Sequence, residues 1–258
     1  MKITVLGSGT SHGVPMIGCD CLVCTSPYSR NKRNRPCLLV TTDDGGQILV
    51  DTPPELRLMA TRFKVNHVDA VLFTHSHADH VFGLDDLRAY NFLQEEPIPL
   101  YAEKNVLEDI QRVFQYCFVP TQLAGGKPNL ELKEIEPGRP LTLGGLCVLP
   151  MRVFHGSLPI LAFKFGEKAA YVTDVSEIPD ETWEKLKGLD VLLLDAVRRR
   201  PHPTHYHMEK ALEVVAELKP KRTFFVHLSH DYDHEATNAE LPDGVELAYD
   251  GQVIDVKP

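Results

Sequence analysis

Long hydrophobic runs are missing from this sequence of 258 residues. No segment approaches the roughly 20 consecutive apolar residues that a membrane-spanning helix requires, which argues against an integral membrane protein. The apolar run within the N-terminal segment, residues 1–7, is too short for the hydrophobic region of a signal peptide. We therefore expect a cytoplasmic protein with no membrane partner.

Positive charge is scarce relative to negative charge. Lys and Arg together number 27 and Asp and Glu 36, so the formal net charge at pH 7 is −9. Such a surface repels polyanions on average, and a nucleic-acid partner would need a local basic patch that overrides this balance. The sequence also lacks low-complexity tracts, linkers and clear repeats. We therefore expect a single domain over residues 1–258 and no nucleic-acid partner.

Cysteine is sparse and unevenly placed. Of six cysteines, three are Cys19, Cys21 and Cys24, and the others lie far apart. Disulfide frameworks distribute their cysteines, whereas the spacing C-x-C-x-x-C gathers three thiolates around one small sphere, which is typical of a metal site. Because a structural zinc takes four ligands, the fourth must come from elsewhere in the chain. The sequence thus predicts a zinc-binding loop at about 15–36.

Histidine, by contrast, is concentrated in one stretch, residues 74–80, which directly follows the apolar run 70–73. Three imidazoles and a carboxylate fall within six residues: His75, His77, Asp79 and His80. Any one of them alone is as well explained by a structural histidine or a capping aspartate. Together they offer the nitrogen and oxygen ligands that suit zinc and neighbouring first-row metals, and four of them can face two adjacent ions. The stretch predicts a catalytic metal site.

The pattern H-x-H-x-D-H after a hydrophobic strand resembles the signature of the metallo-β-lactamase superfamily. Apolar strands and helical segments alternate along both halves of the sequence, and His or Asp residues follow the strands repeatedly. Since the ends of neighbouring strands meet at one edge of a sheet, these side chains are expected to converge there. The layout fits an α/β protein with two packed sheets and helices outside, the αββα sandwich of that superfamily.

Three residues in the second half extend the candidate site: His155, Asp174 and His227 each follow an apolar run. Alone, each has a simpler explanation as a cap or a core histidine. The resemblance implies that seven residues bind two divalent ions, the first ion by His75, His77 and His155, the second by Asp79, His80 and His227, and both by Asp174. It also implies that Asp51 orients the histidine loop, that Asp79 is catalytic, and that the ions are Zn or Mn, with Fe and Ni as further candidates.

Further motifs narrow the resemblance to the PhnP-type phosphodiesterases, over nearly the whole chain. They are the segment 7–15 (GSGTSHGVP), the segment 18–24 (GCDCLVC) and the segment 227–230 (HLSH). The resemblance implies that His230 completes a structural zinc site with the three cysteines. It implies hydrolysis of a small phosphodiester, 5-phospho-α-D-ribosyl 1,2-cyclic phosphate, to ribose 1,5-bisphosphate, and a homodimer. The glycine-rich segment by itself indicates only a tight loop.

A histidine-rich segment before the predicted helix 208–218 supplies the candidate general acid. The resemblance matches His205 to the catalytic histidine, which would protonate the leaving oxygen; His207 is its rival, and His202 is interpreted as a spectator. The run Arg198–Arg200 is interpreted mainly as a solvated face, although one arginine could bind a phosphate monoester. Substrate choice is expected to depend on the loops 84–99 and 120–129.

Two other activities share the core motif and stay open. One is a transfer-RNA 3′-processing endonuclease, which the net charge and the absence of a long basic insertion disfavour. The other is a thioester or lactone hydrolase, or a relative of the PQQ-biosynthesis type, which shares the three cysteines.

Overall fold

The computed structural model of the chain describes residues 1–120 and 126–257. Residues 121–125 of the predicted loop 120–129 therefore lie outside the described residues. Within the described ranges, no helix combines the length and the apolar character needed to cross a membrane.

The first sheet is built mostly from the N-terminal half of the chain. Its strands are β1 Lys2–Gly7, β2 Cys37–Thr41, β3 Gln47–Val50, β4 Ala70–Leu72, β5 Ile98–Ala102 and β6 Leu130–Glu134, with the last strand of the chain, β14 Gln252–Asp255, at one edge. The order is β14-β1-β2-β3-β4-β5-β6. From β3 to β6 the neighbours are parallel, and the others are antiparallel.

The second sheet comes from the C-terminal half. Its strands are β7 Leu141–Leu143, β8 Leu146–His155, β9 Leu158–Phe165, β10 Ala169–Val172, β11 Val191–Asp195, β12 Arg222–Val226 and β13 Val245–Leu247. The order is β13-β12-β11-β10-β9-β8-β7, so each strand pairs with its sequence neighbour. Strands β10 to β13 are parallel, which sends the ends of β10, β11 and β12 to the same edge of the sheet.

Nine helices lie within the described residues, and some of them cover the outer faces of the two sheets. They are α1 Leu22–Thr25, α2 Leu56–Phe63, α3 Ala78–Val81, α4 Arg88–Gln94, α5 Lys104–Val113, α6 Gln115–Phe118, α7 Asp180–Lys185, α8 Met208–Leu218 and α9 His234–Asn238. Short 3₁₀ turns occur at Ser29–Asn31 and Leu84–Leu87.

Three hydrophobic clusters account for the layering. The central cluster joins alternate residues of the two sheets, such as Val40 and Ile48 from the first and Phe163 and Leu193 from the second. A second cluster packs α2, α4 and α5 on the first sheet, and a third packs α8 on the second. Burial of these apolar faces is the main favourable term in folding. The α/β class and the αββα sandwich predicted from the sequence are confirmed.

The element boundaries differ from the prediction in a few places. The helical periodicity of residues 105–118 predicts one helix, whereas the structure has two, α5 and α6, because the backbone of Phe114 leaves the helical conformation at φ −107° and ψ 38°. The strands β7 and β14 are too short or too polar to give a strand pattern. The short helix α3 lies inside the histidine stretch, where the sequence indicated only a turn.

The glycine-rich segment after β1 is a tight loop, as its sequence indicated. A Cβ atom on Gly7 would lie 1.9 Å from the carbonyl oxygen of Arg35, and one on Gly9 would lie 2.8 Å from Cβ of Arg33. Only glycine allows so close an approach of two backbones. The two glycines therefore serve the packing of the loop against the segment that leads into β2.

Candidate metal centres

The histidine stretch places its ligands on a strand end and one helical turn. His75 follows the buried end of β4, and His77 is the residue that precedes α3, which carries Asp79 and His80. The N–H of Thr52 donates to the carbonyl of His80 at 2.7 Å and holds α3 against the end of β3. The helical turn brings the side chains of Asp79 and His80 to the same buried edge of the sandwich.

Other candidate ligands reach this edge from strand ends far away in the sequence. Three of them have positive φ angles: Asp51 after β3 (64°), Asp174 after β10 (52°) and His227 after β12 (60°). Non-glycine residues adopt this conformation at a cost of about 1–3 kcal/mol, and such strain concentrates at functional sites. Its occurrence at three strand ends around one point makes this place the candidate functional centre.

The first ligand group consists of His75, His77 and His155, which each have a ligand atom within 4.8 Å of the others. Nδ1 of His155 donates to the carbonyl of Thr204 at 2.7 Å, which leaves its Nε2 with a free lone pair. Nε2 of His75 is buried and has no hydrogen-bond partner among the described residues. Burial lowers the pKa of all three histidines, so the neutral form that binds metals is favoured.

The second ligand group consists of four buried residues, Asp79, His80, Asp174 and His227. Nε2 of His80 lies 3.4 Å from Asp79 Oδ2 and 3.4 Å from Asp174 Oδ1. Nε2 of His227 lies 3.6 Å from Asp79 Oδ2 and 3.3 Å from Asp174 Oδ2. In tetrahedral coordination at about 2.0–2.2 Å, neighbouring ligand atoms lie about 3.3–3.6 Å apart, so the spacing fits an ion at the centre. We call the two groups together the His/Asp cluster.

The charges of the second group call for a cation. Burial opposes a charge on His80, but Asp174, Asp79 and Asp51 outweigh it and raise the pKa of His80 well above its usual value. Burial would likewise raise the pKa of Asp79 and Asp174, and the neighbouring histidines reverse this and lower it. A divalent cation supplies the same compensation as the proton. Nε2 of His80 and of His227 are buried atoms without a hydrogen-bond partner in the described part of the chain, as expected of ligands.

Asp51 contacts His80 on the side of the ring away from the metal position, and the resemblance implied that it orients the histidine loop. Its Oδ2 lies 2.8 Å from Nδ1 of His80, and its Oδ1 accepts the N–H of Thr74 at 2.9 Å. A carboxylate that accepts the Nδ1 proton fixes the tautomer of the ring and directs Nε2 toward the metal position.

His205 lies beside both ligand groups. Its ring is 4.5 Å from that of His155 and is stacked on that of His227 at 4.7 Å. A ligand atom of His205 lies within 4.8 Å of those of His155 and Asp174. His207 instead occupies the residue before α8, where its Nε2 faces Glu209 at 3.9 Å. The geometry therefore favours His205 over its rival.

Asp195 is a functional candidate that the sequence analysis did not select. Its side chain is fully buried at the end of β11, and its Oδ2 lies 2.7 Å from Nδ1 of His205 and accepts the N–H of Val175 at 3.0 Å. Its Oδ1 lies 3.8 Å from Nδ1 of His227. The sequence signal was the same as for the other residues, a carboxylate that closes an apolar strand. Nothing in the sequence pairs it with His205.

The three cysteines and His230 form a second centre, which we call the cysteine clip. Nδ1 of His230 lies 3.2 Å from Sγ of Cys19 and 3.5 Å from Sγ of both Cys21 and Cys24. With a zinc–sulfur distance of about 2.3 Å and a zinc–nitrogen distance of about 2.0 Å, tetrahedral coordination puts S and N about 3.5 Å apart. The spacing of the four donors fits a structural zinc, and the structure brings His230 beside the three thiols.

The turn at α1 and burial set the pKa values of two thiols in the cysteine clip. The backbone N–H of Cys24 donates to Sγ of Cys21 at 3.4 Å and is the main reason why the pKa of Cys21 falls to about 6. Burial raises the pKa of Cys24 to about 11. Binding of a metal therefore displaces a proton from Cys24, while Cys21 already offers a thiolate at neutral pH.

The segment 227–230 connects the two centres, because His227 belongs to the His/Asp cluster and His230 to the cysteine clip. Its backbone pairs with the glycine-rich loop through Leu228 and Ser8 at 2.9 Å. The buried guanidinium of Arg33 donates to the carbonyls of Ser229 and Tyr232 at 3.0 and 2.8 Å. The loop 7–34 and the end of β12 are thus one packed unit.

A cavity of about 350 Å³ opens between the two centres. It reaches from His205 on one side to His230 on the other, and its walls include Thr10, Arg198, Arg200 and His202. His202 was interpreted as a spectator, but its ring lies 4.9 Å from that of His205. A substrate in this cavity would lie against His205.

Comparisons with known proteins agree with this architecture. A family model described as the beta-lactamase superfamily domain matches residues 47–228. The crystal structure of a diphosphatase from the PhnP family matches at a TM-score of 0.91 and 42% sequence identity, over 98% of this chain and 96% of that one.

Two sequence relatives have other names. The octanoyltransferase of Porphyromonas gingivalis (strain ATCC BAA-308 / W83) is 40% identical over 261 residues, which cover 100% of this chain and 52% of that protein. This chain thus spans about half the length of that relative. The coenzyme PQQ synthesis protein B of Methylobacterium sp. (strain 4-46) is 27% identical over 300 residues, covering 97% of this chain and 98% of that one.

Proposed function

Because the chain belongs to the metallo-β-lactamase superfamily and, within it, to the PhnP family, we propose that it is a dinuclear-metal phosphodiesterase that hydrolyses a small cyclic phosphodiester. The fold, the His/Asp cluster and the similarity to a PhnP-family diphosphatase support the coarser statement, a metal-dependent hydrolase. The substrate class is our proposal.

The observation that carries the proposal is the position of His205. Its ring borders both ligand groups and the cavity, and Asp195 fixes its orientation through Nδ1. The leaving group of a sugar phosphodiester is an alkoxide, which needs a proton as the P–O bond breaks. A histidine whose Nδ1 is held by a buried carboxylate presents Nε2 to the cavity for that transfer.

Two divalent ions, Zn or Mn with Fe and Ni as further candidates, would be held by the His/Asp cluster, and a structural Zn by the cysteine clip. When bound, ions at such a site act as Lewis acids toward phosphoryl oxygens and activate water. The neutral imidazoles and the carboxylates of the cluster would bind the ions. Asp51 orients the ring of His80, and Asp195 orients the ring of His205. Water adds to phosphorus as one P–O bond breaks, and the imidazolium of His205 gives its Nε2 proton to the departing sugar oxygen. The proton that the water loses goes to solvent, and His205 takes a proton from solvent before the next turnover.

For the substrate we propose 5-phospho-α-D-ribosyl 1,2-cyclic phosphate, opened to ribose 1,5-bisphosphate. The cavity volume suits a phosphorylated sugar and not a folded nucleic acid, and the net charge of −9 disfavours a polyanionic partner. The name octanoyltransferase belongs to a protein of about twice this length. That similarity makes thioester hydrolysis the alternative to be tested beside the proposal.

The test is hydrolysis of bis-p-nitrophenyl phosphate by protein loaded with Mn²⁺ or Zn²⁺. A phosphomonoester, a lactone and an octanoyl thioester serve as comparison substrates. We expect turnover of the diester that exceeds that of the other three and disappears on chelation. Thioester or lactone turnover without diester turnover would overturn the proposed function.

A further inference from the structure

The three consecutive arginines before the catalytic histidine have different surroundings. Arg199 points away from the cavity: its Nη2 forms an ion pair with Glu240 at 2.9 Å, and its guanidinium lies 5.7 Å from the ring centre of Tyr232. Arg198 and Arg200 line the cavity beside His205. Arg199 and Arg200 are exposed to solvent and Arg198 is half-buried, so the exposure of Arg200 does not prevent it from lining the cavity.

The guanidinium of Arg198 is held in place by the backbone. Its Nε donates to the carbonyl of Arg200 at 3.1 Å, and its Nη2 donates to the carbonyl of Pro201 at 2.5 Å. Since an arginine has five N–H donors in a fixed plane, three remain for a ligand. Arg200 has no side-chain hydrogen bond or ion pair within residues 1–120 and 126–257. The guanidinium of Arg198 is thus oriented before a ligand binds, and that of Arg200 is free to pair with a ligand.

The cavity is positive in a protein that is negative as a whole. Its walls hold the two arginines and the histidines His12 and His202, against one carboxylate, that of Asp231 next to His230. Burial, and then the charges of His205 and Arg198, lower the pKa of His202 to about 4. Two guanidinium groups against one carboxylate leave the cavity with an excess positive charge in a chain of net charge −9, which favours an anionic ligand.

We propose that Arg198 and Arg200 bind a phosphate monoester that the substrate carries in addition to the diester cleaved at His205. A phosphate monoester has a charge of about −1.5 to −2 at neutral pH, which two guanidinium groups can balance. A ligand with a single carboxylate has too little negative charge to balance both. Planar guanidinium groups also pair with phosphate through two parallel hydrogen bonds. The inference rests on the proposed function for the position of the diester, and it makes the second phosphate the group by which this enzyme selects its substrate.

The first test is a binding measurement that needs no turnover. Calorimetry with ribose 5-phosphate and the metal-loaded protein compares the wild type with Arg200→Gln, Arg198→Lys and the control Arg199→Gln. We expect Arg200→Gln to weaken binding by about 10–100-fold. Arg198→Lys keeps the positive charge but lacks the planar guanidinium group, and we expect it to weaken binding less than Arg200→Gln does. Arg199→Gln should bind as the wild type does. Equal affinity of Arg200→Gln and the wild type overturns the proposed subsite.

The second test uses two diesters that differ in one group, ribosyl 1,2-cyclic phosphate with and without the 5-phosphate. The quantity compared is the ratio of their kcat/KM values. We expect this ratio to favour the phosphorylated diester in the wild type and in Arg199→Gln, and to fall about 10–100-fold in Arg200→Gln. An unchanged ratio in Arg200→Gln would contradict the subsite. If the wild type cleaves neither diester, the proposed function is wrong, and the calorimetry still decides whether the arginines bind phosphate.

Discussion

The His/Asp cluster and the cysteine clip solve the problem of holding a cation in opposite ways. Three of the four ligands in the cysteine clip come from six consecutive residues, 19–24, on a short turn at the surface. The ligands of the His/Asp cluster come from strand ends and one helical turn spread over residues 75–227, and five of the seven are buried. The cysteine clip offers sulfur, while the cluster offers only nitrogen and oxygen.

This difference corresponds to a difference in purpose. Four protein ligands around one point leave no position for a substrate, which is typical of structural zinc sites. The His/Asp cluster instead has the His205–Asp195 pair beside it, and His205 lines the cavity, so a substrate in that cavity would lie next to the ligand groups. We infer that the cysteine clip holds the loop 7–34 on the end of β12 and that the His/Asp cluster carries the chemistry.

Replacement of a cluster ligand should have the largest effect on activity. His77→Ala removes an exposed ligand of the first group without opening the core, and we expect diester turnover to fall by more than about 100-fold. Metal analysis should show loss of about one ion, with the zinc of the cysteine clip retained. The control is His67→Ala, an exposed histidine that faces Asp69 and belongs to neither centre. Turnover of His77→Ala near that of the control would exclude His77 as a ligand.

Replacement of the general acid comes next in size and should depend on the leaving group. We expect His205→Ala to reduce turnover of an alkyl or sugar diester by about 10²–10⁴-fold, and that of a p-nitrophenyl diester much less, because the aryl leaving group needs no proton. The matched control is His207→Ala, two residues away. Equal losses for both types of diester would show that His205 does not act as the acid.

Replacement of a ligand in the cysteine clip should act on stability more than on chemistry. In Cys21→Ser we expect the loss of about one zinc and a lower Tm, by about 2–4 °C for each kcal/mol of lost unfolding free energy. The control is Cys147→Ser, because Cys147 is exposed and lies outside both centres. Unchanged zinc content in Cys21→Ser would remove the structural site, and a loss of turnover as large as in His77→Ala would contradict the division of roles.

Acidification should release metal from the two centres at different pH values, and we expect this to be the smallest of the four effects. The pKa of Cys21 is lowered from its usual value of 9.0 to about 6 in the folded protein, so the stabilisation by its thiolate is fully present above about pH 9 and is lost progressively as the pH falls towards 6. The pKa values of Asp79 and Asp174 lie below their usual range, and those carboxylates stay ionised. We expect zinc to leave the cysteine clip at a higher pH than metal leaves the cluster, measured with a chromogenic chelator. Release in the reverse order would contradict this.

Much of the fold was predictable because its strands are apolar and bounded by polar residues or glycine. The hairpin of β2 and β3, the helix α8 and the buried strand β11 follow directly from such patterns. The strand β14 was not predictable, since its alternation spans only Gln252–Asp255 and its partner, β1, lies at the other end of the chain. The helix α3 was hidden because its few residues are dominated by ligands.

The candidate site divides in the same way. The sequence by itself determined the chemistry of the ligands, since H-x-H-x-D-H and C-x-C-x-x-C fix which donor atoms are close on one short segment. Only the tertiary structure decided that Asp195 holds His205, that His230 meets the three thiols and that Arg198 and Arg200, but not Arg199, face the cavity. The physical reason is distance along the chain. Donor types are local properties of residues, whereas contacts between residues tens to hundreds of positions apart depend on the register of the strands and on the packing of the two sheets.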